Sequence, residues 1–204
     1  MQEKTKSRLK WFFESFIWLG VLMLIFDVVS KLIIYACRAD LPHLLIPHVL
    51  NIEYSLNPNA AFSMGFDNPI VNRVMYTIVA LGVAAGIIVF LCLKYKKTTM
   101  YTRACMMLIM AGALGNMLDR TCYAFSDFCV IDWIDFSPLL PFWKYTFNWA
   151  DSCVVVGAIM LIVWLIIDEV KTSKANKAIE KAEENSDEKV LSASEKERIE
   201  EDKK

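Results

Sequence analysis

The chain has 204 residues, 56% of them hydrophobic, and its mean hydropathy of +0.38 lies well above soluble usage. A formal net charge of -1 gives no hint of a nucleic-acid partner. Six cysteines without a CxxC pair, and only His43 and His48 as histidines, exclude an ordinary Cys/His metal site.

Met1 to Lys10 is polar and basic, with Lys4, Lys6, Arg8 and Lys10. The apolar run from about Trp11 to Cys37 that follows is long enough for a membrane span, which needs about 20 residues. A secretory signal peptide has a shorter apolar core and small residues at its cleavage site. Here Asp27 and Lys31 interrupt the run, and the chain stays apolar after them. Tyr35-Ala36-Cys37 faintly resembles a lipoprotein cleavage site, but cleavage there would discard the charged pair.

Arg38 to Pro69 holds Pro42, Pro47, Pro58 and Pro69 and both histidines. Its alternating piece, Leu50 to Leu56, predicts a short strand. A connection this long is more often functional than a bare linker. Ile70 to Leu93 predicts a second span, with Gly82 and Gly86 spaced for close helix packing. Lys94, Lys96, Lys97 and Arg103 mark a basic loop.

A third span is predicted from about Tyr101 to Cys122. Ala111, Gly112, Ala113 and Gly115 make part of it small and able to pack tightly, and Asn116, Asp119 and Arg120 lie at its far end. The loop from Tyr123 to Tyr145 is aromatic and acidic, with Asp127, Asp132 and Asp135. Phe147 to Asp168 predicts a fourth span, whose first turn carries Asn148 and Asp151. Residues 169–204 form a tail of alternating charge, read as a solvated helix or an extension without a core. Cys92, Cys105 and Cys153 read as small hydrophobes, and a loop disulfide between Cys122 and Cys129 stays open. The expected fold is therefore mainly α and integral to the membrane. It has four spans (11–37, 70–93, 101–122 and 147–168) and a small β-containing segment between the first two.

Positive residues cluster at the N-terminus and between spans two and three, so both termini are expected on the cytoplasmic side. Asp27, Lys31, Asn57, Asn59, Asn116, Asp119, Arg120, Asp132, Asp135, Asn148 and Asp151 then all fall in one layer near the outer surface. Ionisable residues beside hydrocarbon are costly, and their convergence points to a site.

Asp27 and Lys31, four residues apart, share a helix face and suit an internal ion pair. Arg120 is placed either to pair with Asp119 or to bind a substrate carbonyl through its planar fork. Two close carboxylates cannot both ionise cheaply, so one keeps a proton. The ionised member can then take a proton from water while its partner donates to a carbonyl. Asp151 is one member; Asp119, Asp132 and Asp135 each remain as the other. No HExxH motif and no plausible Ser–His or Cys–His arrangement competes.

Five segments, in order, resemble the motifs of the lipoprotein signal peptidase (signal peptidase II) family. They are Asp27-Val28-Val29-Ser30-Lys31, Asn57-Pro58-Asn59-Ala60-Ala61-Phe62-Ser63, Gly112 to Arg120 (GALGNMLDR), Val130-Ile131-Asp132-Trp133-Ile134, and Phe147-Asn148-Trp149-Ala150-Asp151-Ser152. The resemblance implies a four-span aspartic endopeptidase of the bacterial cytoplasmic membrane. Asp132 and Asp151 would be catalytic and Asp119 would support Arg120. Asn57, Asn116, Arg120 and Asn148 would line the substrate groove, and Asp27 and Lys31 would match the first-span pair. It implies diacylglyceryl-modified prolipoproteins as substrates, membrane lipids as surroundings, no cofactor, and a monomer. The chain departs from the pattern at Asn59, where the family usually has Gly, and in a longer loop before Asp132, which keeps Asp135 as a rival. The main alternative is a proton- or ion-coupled transporter; a purely structural membrane subunit is the third reading. A transporter's site would lie near the midplane, reachable from both sides.

Overall fold

The computed structural model describes residues 2–59, 65–122 and 126–201, with side chains described from 9 to 180. Ala60 to Ser63 of the outer-loop motif, the start of the loop after the third predicted span, and the side chains of the tail beyond 180 lie outside the described residues. The chain divides into two units, Met1–Leu161 and Ile162–Lys204. The second is helical through Glu201.

Helix α1 (Gln2–Ser15) ends at Phe16, whose φ of 58° is left-handed, and α2 (Ile17–Ala36) begins after it. The predicted first span, starting at Trp11, is thus corrected to a shorter one. Ser15 explains part of the break: its hydroxyl donates to Phe12 O and accepts from Ile17 N, competing with helical bonds. The 20 residues of α2 rise about 30 Å, which matches the hydrocarbon core.

Helix α3 (Pro69–Lys94) starts on a proline at its first position and on Asn68, whose side chain accepts from Ile70 N and Val71 N. Helix α4 (Met100–Thr121) is capped by Thr99, and the last helix, α5, runs Trp149–Glu201. Among the described residues, Ile17–Ala36, Pro69–Lys97 and Trp149–Glu180 are long and apolar enough to cross a membrane. Helix α4 is not among them, because its small and polar residues serve packing against α2 and α3. Arg103 is part of that packing. It is buried in α4 and donates to Glu14 O, Tyr95 O and Thr98 O, so it is not the free loop charge expected from the sequence.

The pattern of burial is inverted relative to a soluble protein. Val29, Ile78 and Ile159 are exposed, while Asp27, Lys31, Asp132 and Asn148 are buried. Apolar residues facing outward are what a hydrocarbon solvent allows. The expected close packing at Gly82 and Gly86 is not found among the described residues, since nothing lies within 4 Å of a Cβ placed at either. The close packing expected at the small residues of α4 is present. A Cβ on Gly112 would stand 2.3 Å from Ala150 O and 2.6 Å from Val154 Cγ2; one on Gly115 would stand 2.5 Å from Asp27 Oδ2. Gly112→Ala should therefore push α4 off the start of α5 and cost about 1–3 kcal/mol. The thermal midpoint of the purified protein should drop and activity should drop with it; an unchanged midpoint would contradict this packing.

Three antiparallel strands, β1 (His43–Ile46), β2 (Leu50–Asn57) and β3 (Val130–Asp135), form one sheet in the order β1-β2-β3. The strand expected at 50–56 is present, but the sheet is not confined to the segment between the first two spans. Its third strand comes from the stretch read as the aromatic and acidic loop Tyr123 to Tyr145. The register joins Ser55 to Asp132 but Ile52 to Ile134, a slip of one residue. Such a bulge moves following side chains to the other face.

Candidate functional site

Asn148 and Asp151 stand at the start of α5 in a reciprocal cap. Asp151 N donates to Asn148 Oδ1 at 2.9 Å, and Asn148 N donates to Asp151 Oδ2 at 3.1 Å. This is the capping-box arrangement with an amide and a shorter acid, and it fixes both side chains by local chain geometry. Phe147 belongs to a bridge with Ile134 rather than to the helix, so the last span begins two residues later than predicted.

Asp132 comes from β3. Directly across from it is Ser55, and Asn57 lies two residues on, on the same face of β2. Asn57 Nδ2 accordingly donates to Asp132 Oδ2 at 2.9 Å. Asn148 Nδ2 donates to Asp132 Oδ1 at 2.7 Å, so one buried residue bonds Asp132 through its side-chain amide and Asp151 through its backbone N–H. Asn116 completes the set: its Nδ2 donates to Asp151 Oδ1 at 2.7 Å, and its Oδ1 accepts from Asn148 Nδ2 at 3.0 Å.

Lys31, one of two cations in this layer, is already engaged. Lys31 Nζ donates to Asp27 Oδ2 and lies 2.8 Å from Asp119 Oδ2, and it reaches Asn116 Oδ1 at 3.1 Å. Asp27 Oδ1 accepts from Ala150 N at 2.8 Å, and Asp119 Oδ2 from Ile131 N at 3.2 Å. The Asp27–Lys31 pair expected from the i, i+4 spacing is therefore present. It has become a triad that ties α2, α4, β3 and α5 together.

Arg120 makes no ion pair with Asp119 among the described residues, so the first of its two expected roles is not adopted. Its Nη1 donates to Asn116 O at 3.1 Å and its Nη2 to Asn59 O at 2.7 Å, while Nε is buried without a hydrogen-bond partner among the described residues. Tyr76 lies beside the guanidinium, 5.1 Å from ring centroid to Cζ.

Asp135 is turned elsewhere. Three residues beyond Asp132 on one strand, it faces the opposite side of the sheet. It accepts from Asn51 Nδ2, Ser137 N and Ser137 Oγ. All six cysteines are free thiols, so Cys122 and Cys129 are not bridged.

Burial, and then the nearby Asp151 charge, push the Asp132 carboxyl up to about 7 from an ordinary 3.8. Its two amide donors act in the opposite sense, as hydrogen bonds to the ionised form do. At neutral pH this carboxyl is near half-protonation beside a second acid. It can donate a proton or hold one.

Sequence reasoning brought Asp27, Lys31, Asn57, Asn116, Asp119, Arg120, Asp132, Asn148 and Asp151 into one layer, and the structure brings them into one connected cluster. It missed Asn72, which is buried in the first turns of α3 and donates to Asn59 Oδ1 at 2.8 Å. The available signal was an amide within an apolar run.

Residues 19–167 match the family model described as signal peptidase (SPase) II. The chain is 34% identical over 151 residues to the lipoprotein signal peptidase of Escherichia coli O157:H7, covering 72% of this chain and 86% of that protein. It is 30% identical over 176 residues to the lipoprotein signal peptidase of Pseudomonas fluorescens, covering 85% and 94%. A solved bacterial membrane enzyme, obtained by the in meso method, aligns with a TM-score of 0.62 at 27% identity, covering 75% of this chain and 88% of the other.

Proposed function

The chain belongs to the signal peptidase II family, and from that premise we propose that it works as an aspartic endopeptidase with Asp132 and Asp151 as its two working carboxylates. The reaction is removal of the signal peptide from prolipoproteins. The bond cut precedes the lipobox cysteine, which already carries diacylglycerol. Neither the family match nor the relatives above support the transporter alternative.

The observation that carries the dyad is that one residue, Asn148, is bonded to Asp132 Oδ1 through its side-chain amide and to Asp151 Oδ2 through its backbone N–H. A water held between the carboxylates gives its proton to Asp151 as its oxygen bonds to the scissile carbonyl carbon. Asp132 gives its proton to the carbonyl oxygen, forming a gem-diol. Asp151 then passes its proton to the departing cysteine nitrogen, Asp132 recovers one from the diol, and the C–N bond breaks. This chemistry needs neither a metal nor a covalent intermediate. Asn57, Asn116, Asn148 and Arg120 hold the carboxylates and the substrate backbone; Asp27, Lys31 and Asp119 hold the elements that carry them.

In the membrane, α4 is the fourth span, surrounded by the three apolar helices, and both termini are cytoplasmic. The cluster then sits at the outer interface, where the diacylglyceryl chains remain in lipid while the peptide bond meets water. Residues 1–168 form the peptidase domain, 169–204 form a cytoplasmic tail, and the chain acts as a monomer.

The test is cleavage by purified protein in lipid. A diacylglyceryl-modified prolipoprotein should be cut before its lipidated cysteine, and the same precursor without the lipid should stay intact. Asp135→Asn should retain wild-type kcat/KM, because Asp135 caps its own turn. Equal cleavage of both precursors would contradict the substrate reading, and loss of activity in Asp135→Asn would contradict the choice of Asp132.

A further inference from the structure

Asn59 is the point where the outer-loop motif departs from the family pattern, and three separate bonds meet there. Its backbone N donates to Asn57 Oδ1 at 2.9 Å. That bond orients the Asn57 amide so that Nδ2 faces Asp132. Its backbone O accepts from Arg120 Nη2 at 2.7 Å. Its side-chain Oδ1 accepts from Asn72 Nδ2 at 2.8 Å.

Asn72 is itself held on all sides. It is 1% exposed, its Oδ1 accepts from Phe66 N at 2.7 Å, and its Nδ2 also donates to Phe66 O at 2.9 Å. One buried amide in α3 therefore grips both ends of the segment between Asn59 and Phe66. Gly65 completes the fit: a Cβ there would lie 2.5 Å from Asn59 Oδ1 and 2.9 Å from Asn72 Nδ2. Only glycine leaves room for the two amides to meet.

We propose that the Asn59–Asn72 amide pair is a latch that positions Asn57 and Arg120 against the carboxylate pair. Neither residue touches the reacting atoms, so both are positioning residues. Their role rests on the reading of Asp132 and Asp151 as the catalytic dyad. A segment tied to α3 at Asn72 sets where Asn59 sits. Asn59 in turn sets the direction of the Asn57 donor and the height of the Arg120 guanidinium. Small displacements of such groups are costly in catalysis, up to about 100-fold for roughly 1 Å.

The experiment uses the full chain in lipid with a diacylglyceryl-modified prolipoprotein. It compares wild type, Asn59→Ala, Asn72→Ala and the double variant, with Asp132→Asn as control. Each single variant should lower kcat/KM about tenfold or more. The double variant should be no worse than the weaker single, because the two side chains make one interaction. The alkaline limb of the pH profile should also move to higher pH in both, since a displaced Asn57 no longer favours ionised Asp132. A variant that merely folded less well would lose activity without moving that limb. If Asn72→Ala does not fold, Asn59→Ala alone decides, as it removes only a loop side chain. Wild-type kcat/KM and an unmoved limb in Asn59→Ala, or losses that multiply in the double variant, would overturn the latch. Activity in Asp132→Asn would instead overturn the dyad, which keeps the two failures apart.

Discussion

Asp132→Asn and Asp151→Asn should each reduce prolipoprotein cleavage by about 10³-fold or more, at the upper end of what one proton-transfer group contributes. Each substitution is nearly isosteric, but it removes the exchangeable proton and turns one acceptor oxygen into a donor. Asn at 132 keeps one of the two bonds donated by Asn148 Nδ2 and Asn57 Nδ2 and loses the other. The stability effect has the opposite sign. With the folded pKa raised to about 7 from 3.8, the contribution of Asp132 to stability is complete below 3.8 and is lost as pH rises to 7. Above that it is a buried charge without a direct cationic partner among the described residues. Asp132→Asn should therefore be inactive yet at least as heat-stable as wild type at pH 8, with the advantage shrinking toward pH 4. Sites that hold strained groups trade stability for activity in this way. Cleavage by either variant at the wild-type rate would refute the dyad.

Lys31→Met should be the most destabilising single change in the described cluster. Lys31 is 2% exposed and bonds both Asp27 and Asp119. Its removal leaves two carboxylates buried without their cation, a loss of about 3–5 kcal/mol for a broken buried pair. The thermal midpoint in detergent should fall by roughly 10 °C. The triple variant Asp27→Asn, Lys31→Met, Asp119→Asn removes all the charges at once and should recover much of that loss. A midpoint unchanged in Lys31→Met, or lower still in the triple variant, would show that the triad is not what joins these elements.

How far the sequence alone could go depended on distance along the chain. Local patterns survived: the i, i+4 pair of Asp27 and Lys31, the strand near Leu50, and the apolar runs. Their ends did not, because Ser15 and the left-handed Phe16 divide a run that is uniform in hydropathy. The identity of the second carboxylate was beyond chemistry applied to composition. Asp119, Asp132 and Asp135 are all acids near one surface. Which of them faces Asp151 follows from a salt bridge to Lys31, the alternation of a strand read as loop, and a one-residue slip in its partner. None of these leaves a local signature. The resemblance to signal peptidase II implied Asp132 where physical reasoning kept three candidates. The GxxxG spacing misled in the other direction: among the described residues nothing lies within 4 Å of a Cβ at Gly82 or Gly86, while Gly112 and Gly115, in the stretch of the third span whose small residues suggested tight packing, make the close contacts.

The central claim is that Asp132 and Asp151 share one proton and that peptide cleavage depends on it. The most direct measurement is the pH dependence of kcat/KM for the wild-type enzyme in lipid, with a diacylglyceryl-modified prolipoprotein. Asp132, raised to about 7, must be protonated to donate to the carbonyl. The profile should therefore decline above about pH 7, tenfold per pH unit once the proton is gone. A profile that stays flat from pH 6 to about pH 9 would contradict a proton held at Asp132, and with it the dyad.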